Sequence, residues 1–147
     1  MSDLPPRLAE IVEDFQSISG HEKLEYLMEL AEALPPLPDW LDEQRDNMVE
    51  VHECMSPVFV YAQRKEDTRY RYYLDVPKEA PTVRGYATIL QEGLNDTTLE
   101  EILAVPTEFY LQMGLQQVLS SQRLTGIGAI LAHMKRLAQQ AENLHSI

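Results

Sequence analysis

Only one cysteine, Cys54, occurs in the 147 residues. A single thiol excludes any disulfide within the chain and any zinc site that draws two thiolates from it. Long apolar runs are missing too: no stretch approaches the roughly 18 residues that a membrane span needs. Positive charge is scarce, with 12 Lys and Arg against 24 Asp and Glu, a formal net charge of −12. Phosphate binding needs a positive stripe, so nucleic acid is a poor partner. Glycine-rich phosphate cradles are absent. The one close glycine pair, Gly126-Ile-Gly128, lies inside a helical pattern and reads as helix packing. The start, Met-Ser-Asp-Leu-Pro-Pro-Arg, has neither the basic opening and apolar run of a secretory signal nor the basic character of a transit peptide. A cytoplasmic protein, away from the membrane, is the expectation.

What is present fits one domain over residues 1–147, with hydrophobic content of 44% sufficient for one core. The acidity is concentrated: residues 1–50 hold 13 acids and 3 bases. That half is either a solubilising surface or a face for a basic protein. Pro5-Pro6 opens a helix whose Leu8, Ile11, Val12, Phe15 and Ile18 fall at helical spacing, and Ser19-Gly20 ends it. A second helix is predicted over 21–34, with Leu24, Leu27, Met28, Leu30 and Leu34 as its apolar stripe. Pro35-Pro-Leu-Pro-Asp39 then reads as a stiff extended connector, pinned by Trp40 and Leu41.

From about Met48 the period changes to two. Met48, Glu50, His52 and Cys54 are expected on one face of a short strand that Ser56-Pro57 interrupts. Residues 58–62 and 69–76 form two further strands, joined by the polar turn Lys65-Glu-Asp67. In the last of them Tyr70, Tyr72 and Leu74 alternate with Arg69, Arg71 and Tyr73. Helical periods then resume. A helix around Val83–Leu90 closes at Gly93-Leu-Asn95. A short one from Leu99 to Val105 is capped by Asp96 or Thr97. Another, over Thr107–Met113, stops at Gly114, and the last runs over 121–143. The class is α+β: a small three-stranded antiparallel sheet packed against N-terminal and C-terminal helices.

Chemistry has few places to reside. His21, His52, His133 and His145 are scattered, with no metalloprotease spacing. His52, Cys54 and Glu50 share a predicted face and have the right atoms for a metal, but no second ligand pair accompanies them. That leaves Cys54. An unpaired cysteine is commonly buried and inert. Here it precedes Ser56-Pro57 at a predicted strand end among polar neighbours, where a thiol can be exposed.

The segment Val51-His-Glu-Cys54-Met-Ser56-Pro-Val58-Phe59 resembles the acceptor-cysteine segment of SufE-type sulfur-transfer proteins. The usual form there is a hydrophobic residue, a variable position and Gly-Cys-x-Ser-x-Val-Trp. Val83-Arg-Gly85, Phe109-Tyr-Leu-Gln-Met-Gly-Leu115 and Leu119-Ser-Ser-Gln-Arg123-Leu-Thr-Gly126 are similar to further family segments, in the same order along the chain. Two positions depart, Glu53 for the glycine and Phe59 for the tryptophan. A carboxylate beside the thiol disfavours the thiolate.

The resemblance implies a SufE/IscU-like fold and a sulfur-acceptor protein rather than a stand-alone enzyme. Such a protein takes persulfide sulfur from a cysteine desulfurase, stimulates that enzyme, and passes the sulfur to an iron–sulfur scaffold complex. The pyridoxal phosphate belongs to the desulfurase, so no cofactor is expected in this chain, which would be a monomer or weak dimer. Cys54 would carry the persulfide in a small apolar recess near Val58 and Phe59. Arg123 would support the anion and His52 would accept a proton. A desulfurase-binding regulator that carries no sulfur is the alternative on the same scaffold.

Overall fold

Proline at the first turn of a helix removes an N–H that has no partner there anyway, and α1 (Pro6–Gln16) starts in this way. Its Leu8, Ile11, Val12 and Phe15 are buried as their spacing predicts. Gly20, with φ +54°, turns the chain into α2 (His21–Glu32). The stripe of α2 differs from expectation. Met28 is 52% exposed, while Lys23 occupies the stripe's first buried position at 4% exposure. The reason is a pair of helix ends. The Lys23 ammonium donates to the Phe15 carbonyl at 2.5 Å and to the Met113 carbonyl at 2.8 Å. It thus satisfies one carbonyl near the end of α1 and another at the end of the 3-10 turn Phe109–Met113.

The computed structural model describes residues 4–145; Met1–Asp3 of the opening stretch lie outside them. The proline-rich connector leads into a one-turn helix, α3 (Asp39–Asp42), that the sequence reading did not separate. Leu41 is fully buried, and Trp40 sits edge-on to Tyr61 and Tyr73, with ring centroids 5.8 and 5.4 Å apart.

The sheet is an antiparallel meander in the order β1 (Val49–Glu50), β2 (Phe59–Arg64), β3 (Arg69–Asp75) and β4 (Thr97–Thr98). It has four strands where three were expected. Thr97 and Thr98 pair with Tyr70 and Arg69 at the sheet edge. Thr98 also caps α5 (Leu99–Ala104) through a reciprocal box with Glu101. Two residues are too few to show alternation, so only the capping role was legible, and it falls on Thr98 rather than Asp96 or Thr97.

The other correction concerns β1, which stops at Glu50. The Val51 N–H donates to the Val58 carbonyl at 2.8 Å and the Cys54 N–H to the Val51 carbonyl at 3.3 Å. With Val51 already tied to Val58, residues 52–57 must leave the sheet as a loop. Met48, Glu50, His52 and Cys54 therefore share no strand face.

The inner face of β3 presents Tyr70, Tyr72 and Leu74, all buried, as the alternation predicted. The Tyr72 hydroxyl donates to the Met134 carbonyl at 2.8 Å and the Tyr70 hydroxyl to Glu142 at 2.7 Å. Both bonds tie α6 (Ser121–His145) to the sheet. Beside it, α4 (Pro81–Leu94) is buried on nearly every side, between β3 on one face and α1 and α2 on the other. Gly85 makes that crossing possible, because a Cβ there would sit 2.1 Å from the Leu27 carbonyl oxygen. No helix among the described residues is long and apolar enough to cross a membrane.

Candidate functional site

The loop after β1 folds back on the first half of α6, and this contact makes the site. Cys54 is half-buried and donates its S–H to the Gly126 carbonyl at 3.2 Å. The close approach depends on Gly126. A Cβ there would lie 3.3 Å from the Cys54 sulfur and 3.4 Å from its Cα, tight enough to displace the loop. Beside the thiol opens a recess of about 220 Å³ whose lining includes Cys54, Met55, Ser56, Val83, Arg123 and Gly126. A shallower depression shares Ser56 and Arg123 with it and extends toward Thr82 and Ser120.

Two effects hold the thiol protonated. Burial is the larger and the neighbouring Glu53 carboxylate the smaller; together they push the Cys54 thiol up to about 11. Glu53 itself is half-exposed and ionised. Its carboxyl is held below the usual range by its own backbone N–H, then by His133, with Arg136 adding a weaker field. The His133 Nε2 lies 3.0 Å from Glu53 Oε1, and the ring is buried within α6. Its Nδ1 has no hydrogen-bond partner among the described residues.

Of the residues singled out by sequence, Cys54 and Arg123 line one recess. The Arg123 guanidinium is exposed and donates to the Thr82 hydroxyl at 3.1 Å. Among the described residues no carboxylate lies within ion-pair distance of it. His52 is not among the recess residues. It is exposed on the loop, with Nδ1 3.8 Å from Glu50. The expected lining by Val58 and Phe59 is also corrected. Val58 is fully buried in the core, and Phe59 faces outward beneath the Arg45 guanidinium at 5.9 Å. Around His52, Cys54 and Glu50, as elsewhere in the described residues, no three ligating side chains converge on a metal position.

Gly126 and His133 were missed as site residues, although a signal existed. They lie seven residues apart, two turns along one face of α6, and meet Cys54 and Glu53 in turn. The spacing was visible, but nothing in the sequence said that this face would meet the 52–57 loop.

Residues 9–138 match the family described as SufE: Fe-S metabolism associated domain. An uncharacterized SufE-like protein of Mycobacterium tuberculosis is 43% identical over 141 residues, which cover 96% of this chain and 97% of that one. SufE-like protein 1, chloroplastic/mitochondrial, of Arabidopsis thaliana is 36% identical over 143 residues, covering 97% of this chain and 37% of that longer protein. The solution structure of a hypothetical protein from Thermus thermophilus superposes with a TM-score of 0.82 at 35% identity, over 95% of this chain and 98% of that one.

Proposed function

The chain belongs to the SufE family, associated with Fe–S metabolism, and on that premise we propose that it is a sulfur carrier that loads on Cys54. The observation that carries this reading is the sole thiol of the chain, set at the mouth of a recess beside an arginine with no carboxylate partner among the described residues. The donor is the persulfide of a cysteine desulfurase, and the recipient is an iron–sulfur scaffold complex. Its setting is the cytoplasm, a reducing compartment that suits an unpaired thiol.

The transfer is an exchange at sulfur. The Cys54 thiolate attacks the terminal sulfur of the donor's persulfide. A new S–S bond forms at Cys54 as the donor's S–S bond breaks, and the donor leaves as its own thiolate. The proton lost by Cys54 ends on that leaving thiol or in solvent, and no external oxidant or reductant is consumed. The resting thiol is ill suited to attack. With its pKa near 11, roughly one molecule in a thousand is thiolate at pH 8. Loading therefore requires the loop to leave α6, which relieves the burial that is the larger cause. Resting unloaded protein is in turn guarded against stray oxidants. Arg123 stabilises the sulfur anion at the recess.

The high-lying thiol also favours a second reading, a regulator that binds the desulfurase without taking sulfur. Intact-mass measurement after incubation with a cysteine desulfurase, pyridoxal phosphate and cysteine separates the two. The carrier gains one sulfur atom, and Cys54→Ser gains none. A changed desulfurase rate with no mass gain assigns the regulator, and no effect on either removes both.

A further inference from the structure

A buried histidine with an unused nitrogen is a poor core residue. Satisfied polar groups are the rule in protein interiors, and an apolar side chain at position 133 would avoid the deficit altogether. Since Glu53 is ionised, the Nε2–H of His133 donates to it, and the buried Nδ1 is left without a hydrogen-bond partner among the described residues. The ring spends its one hydrogen bond on the residue next to the thiol. One turn below lies Arg136, whose charge adds a weaker field at Glu53.

We propose that His133 is a positioning residue that, through its hydrogen bond to Glu53, fastens the Cys54 loop to α6 and keeps the thiol turned toward Gly126. The clasp complements the contact two turns earlier. Gly126 receives Cys54 and His133 receives Glu53, so two consecutive loop residues are tied to one helix face. Glu53 then has a purpose that a glycine would lack. The inference rests on Cys54 being the reacting group, but its test needs no partner protein.

The test is the rate at which iodoacetamide, an uncharged thiol reagent, alkylates Cys54 in the folded full-length chain, followed by intact mass. His133→Ala breaks the clasp and retains the Glu53 charge. Glu53→Asp also keeps the charge but is one methylene too short to reach. Both are expected to alkylate about fivefold faster, the factor carried by one net hydrogen bond. His133→Gln retains a donor and restores most of the wild-type rate. Electrostatics alone gives another sign, because removing an imidazole takes no negative charge from the thiol and leaves the rate unchanged or lower. Wild-type rates in His133→Ala and Glu53→Asp overturn the proposal, as does equal acceleration in His133→Gln, which would signify general loosening of the core. If His133→Ala does not fold, Glu53→Asp alone decides, since its carboxylate is half-exposed. A clasp that passes this test in a chain that accepts no sulfur would refute only the carrier reading.

Discussion

Lys23 and His133 are both basic side chains buried in helices, and they are held in opposite ways. Lys23 bridges two elements, with its ammonium on the carbonyls of Phe15 and Met113. His133 uses one nitrogen and leaves the other unpaired among the described residues. Two glycines repeat the contrast. Gly85 lets α4 meet α2 backbone to backbone, with no flexible group to yield. Gly126 lets α6 meet a loop that would have to give by only a few tenths of an ångström to admit a Cβ. The helical interior is thus over-determined, whereas the Cys54 loop is hydrogen-bonded to α6 through Cys54 to Gly126 and Glu53 to His133. Local opening is drawn from regions held in the second way. A thiol that the proposed carrier must both protect and present belongs there.

The contrast breaks most visibly at Gly85. Gly85→Ala forces a Cβ into the Leu27 carbonyl and is expected to lose about 3 kcal/mol or more of stability, read by urea unfolding. The second test sets the two basic groups against each other. Lys23→Met strands the buried Met113 carbonyl, leaves the Phe15 carbonyl only a long bond from the Ile18 N–H, and should lose about 2 kcal/mol. His133→Leu removes an already half-unsatisfied ring and should change stability by less than about 1 kcal/mol, while its Cys54 becomes more reactive. Equal losses from the two would erase the distinction drawn here. Third, Gly126→Ala is expected to lose about 1 kcal/mol, because the loop yields where the Leu27 backbone cannot. Its alkylation rate should rise nonetheless.

The smallest effect is in pH. Alkylation of Cys54 in the folded chain should rise with a midpoint near 11. In Glu53→Gln that midpoint moves down only part of the way, since burial is the larger cause. The sign for stability follows from the same shift. The folded thiol ionises above the unfolded one, whose pKa is about 8.5, so the unfolded state loses its proton first. Cys54's contribution is complete below that value and is lost as pH rises through the folded pKa. A stability that rises between those values in wild type relative to Cys54→Ser would contradict the burial of the thiol.

Much of the fold was legible because it rests on periodicity. Leu8, Ile11, Val12 and Phe15 announced α1, and the Tyr70, Tyr72, Leu74 alternation announced both β3 and its inward face. The class and the resemblance to SufE proteins held. What failed was short or tertiary. Thr97-Thr98 pairs over two residues, below the length at which a period exists. Residues 51–54 alternate like a strand, but the bond from Val51 to Val58 turns them into a loop and moves His52 out of line with Cys54. Lys23 looks like a surface residue until two helix ends converge on it. Cys54 is singled out by composition and resemblance; Gly126 and His133 depend on which face of α6 meets the loop, and no local pattern records that.

The most direct test is a single-turnover transfer. A desulfurase preloaded with radiolabelled persulfide sulfur and freed of cysteine is mixed with an excess of this chain, and the label on each protein is followed without reductant. Label should leave the desulfurase and appear on the wild-type chain as a reductant-labile adduct, with none on Cys54→Ser. Label that stays on the desulfurase, or reaches the wild type and Cys54→Ser alike, would contradict a carrier that works through Cys54.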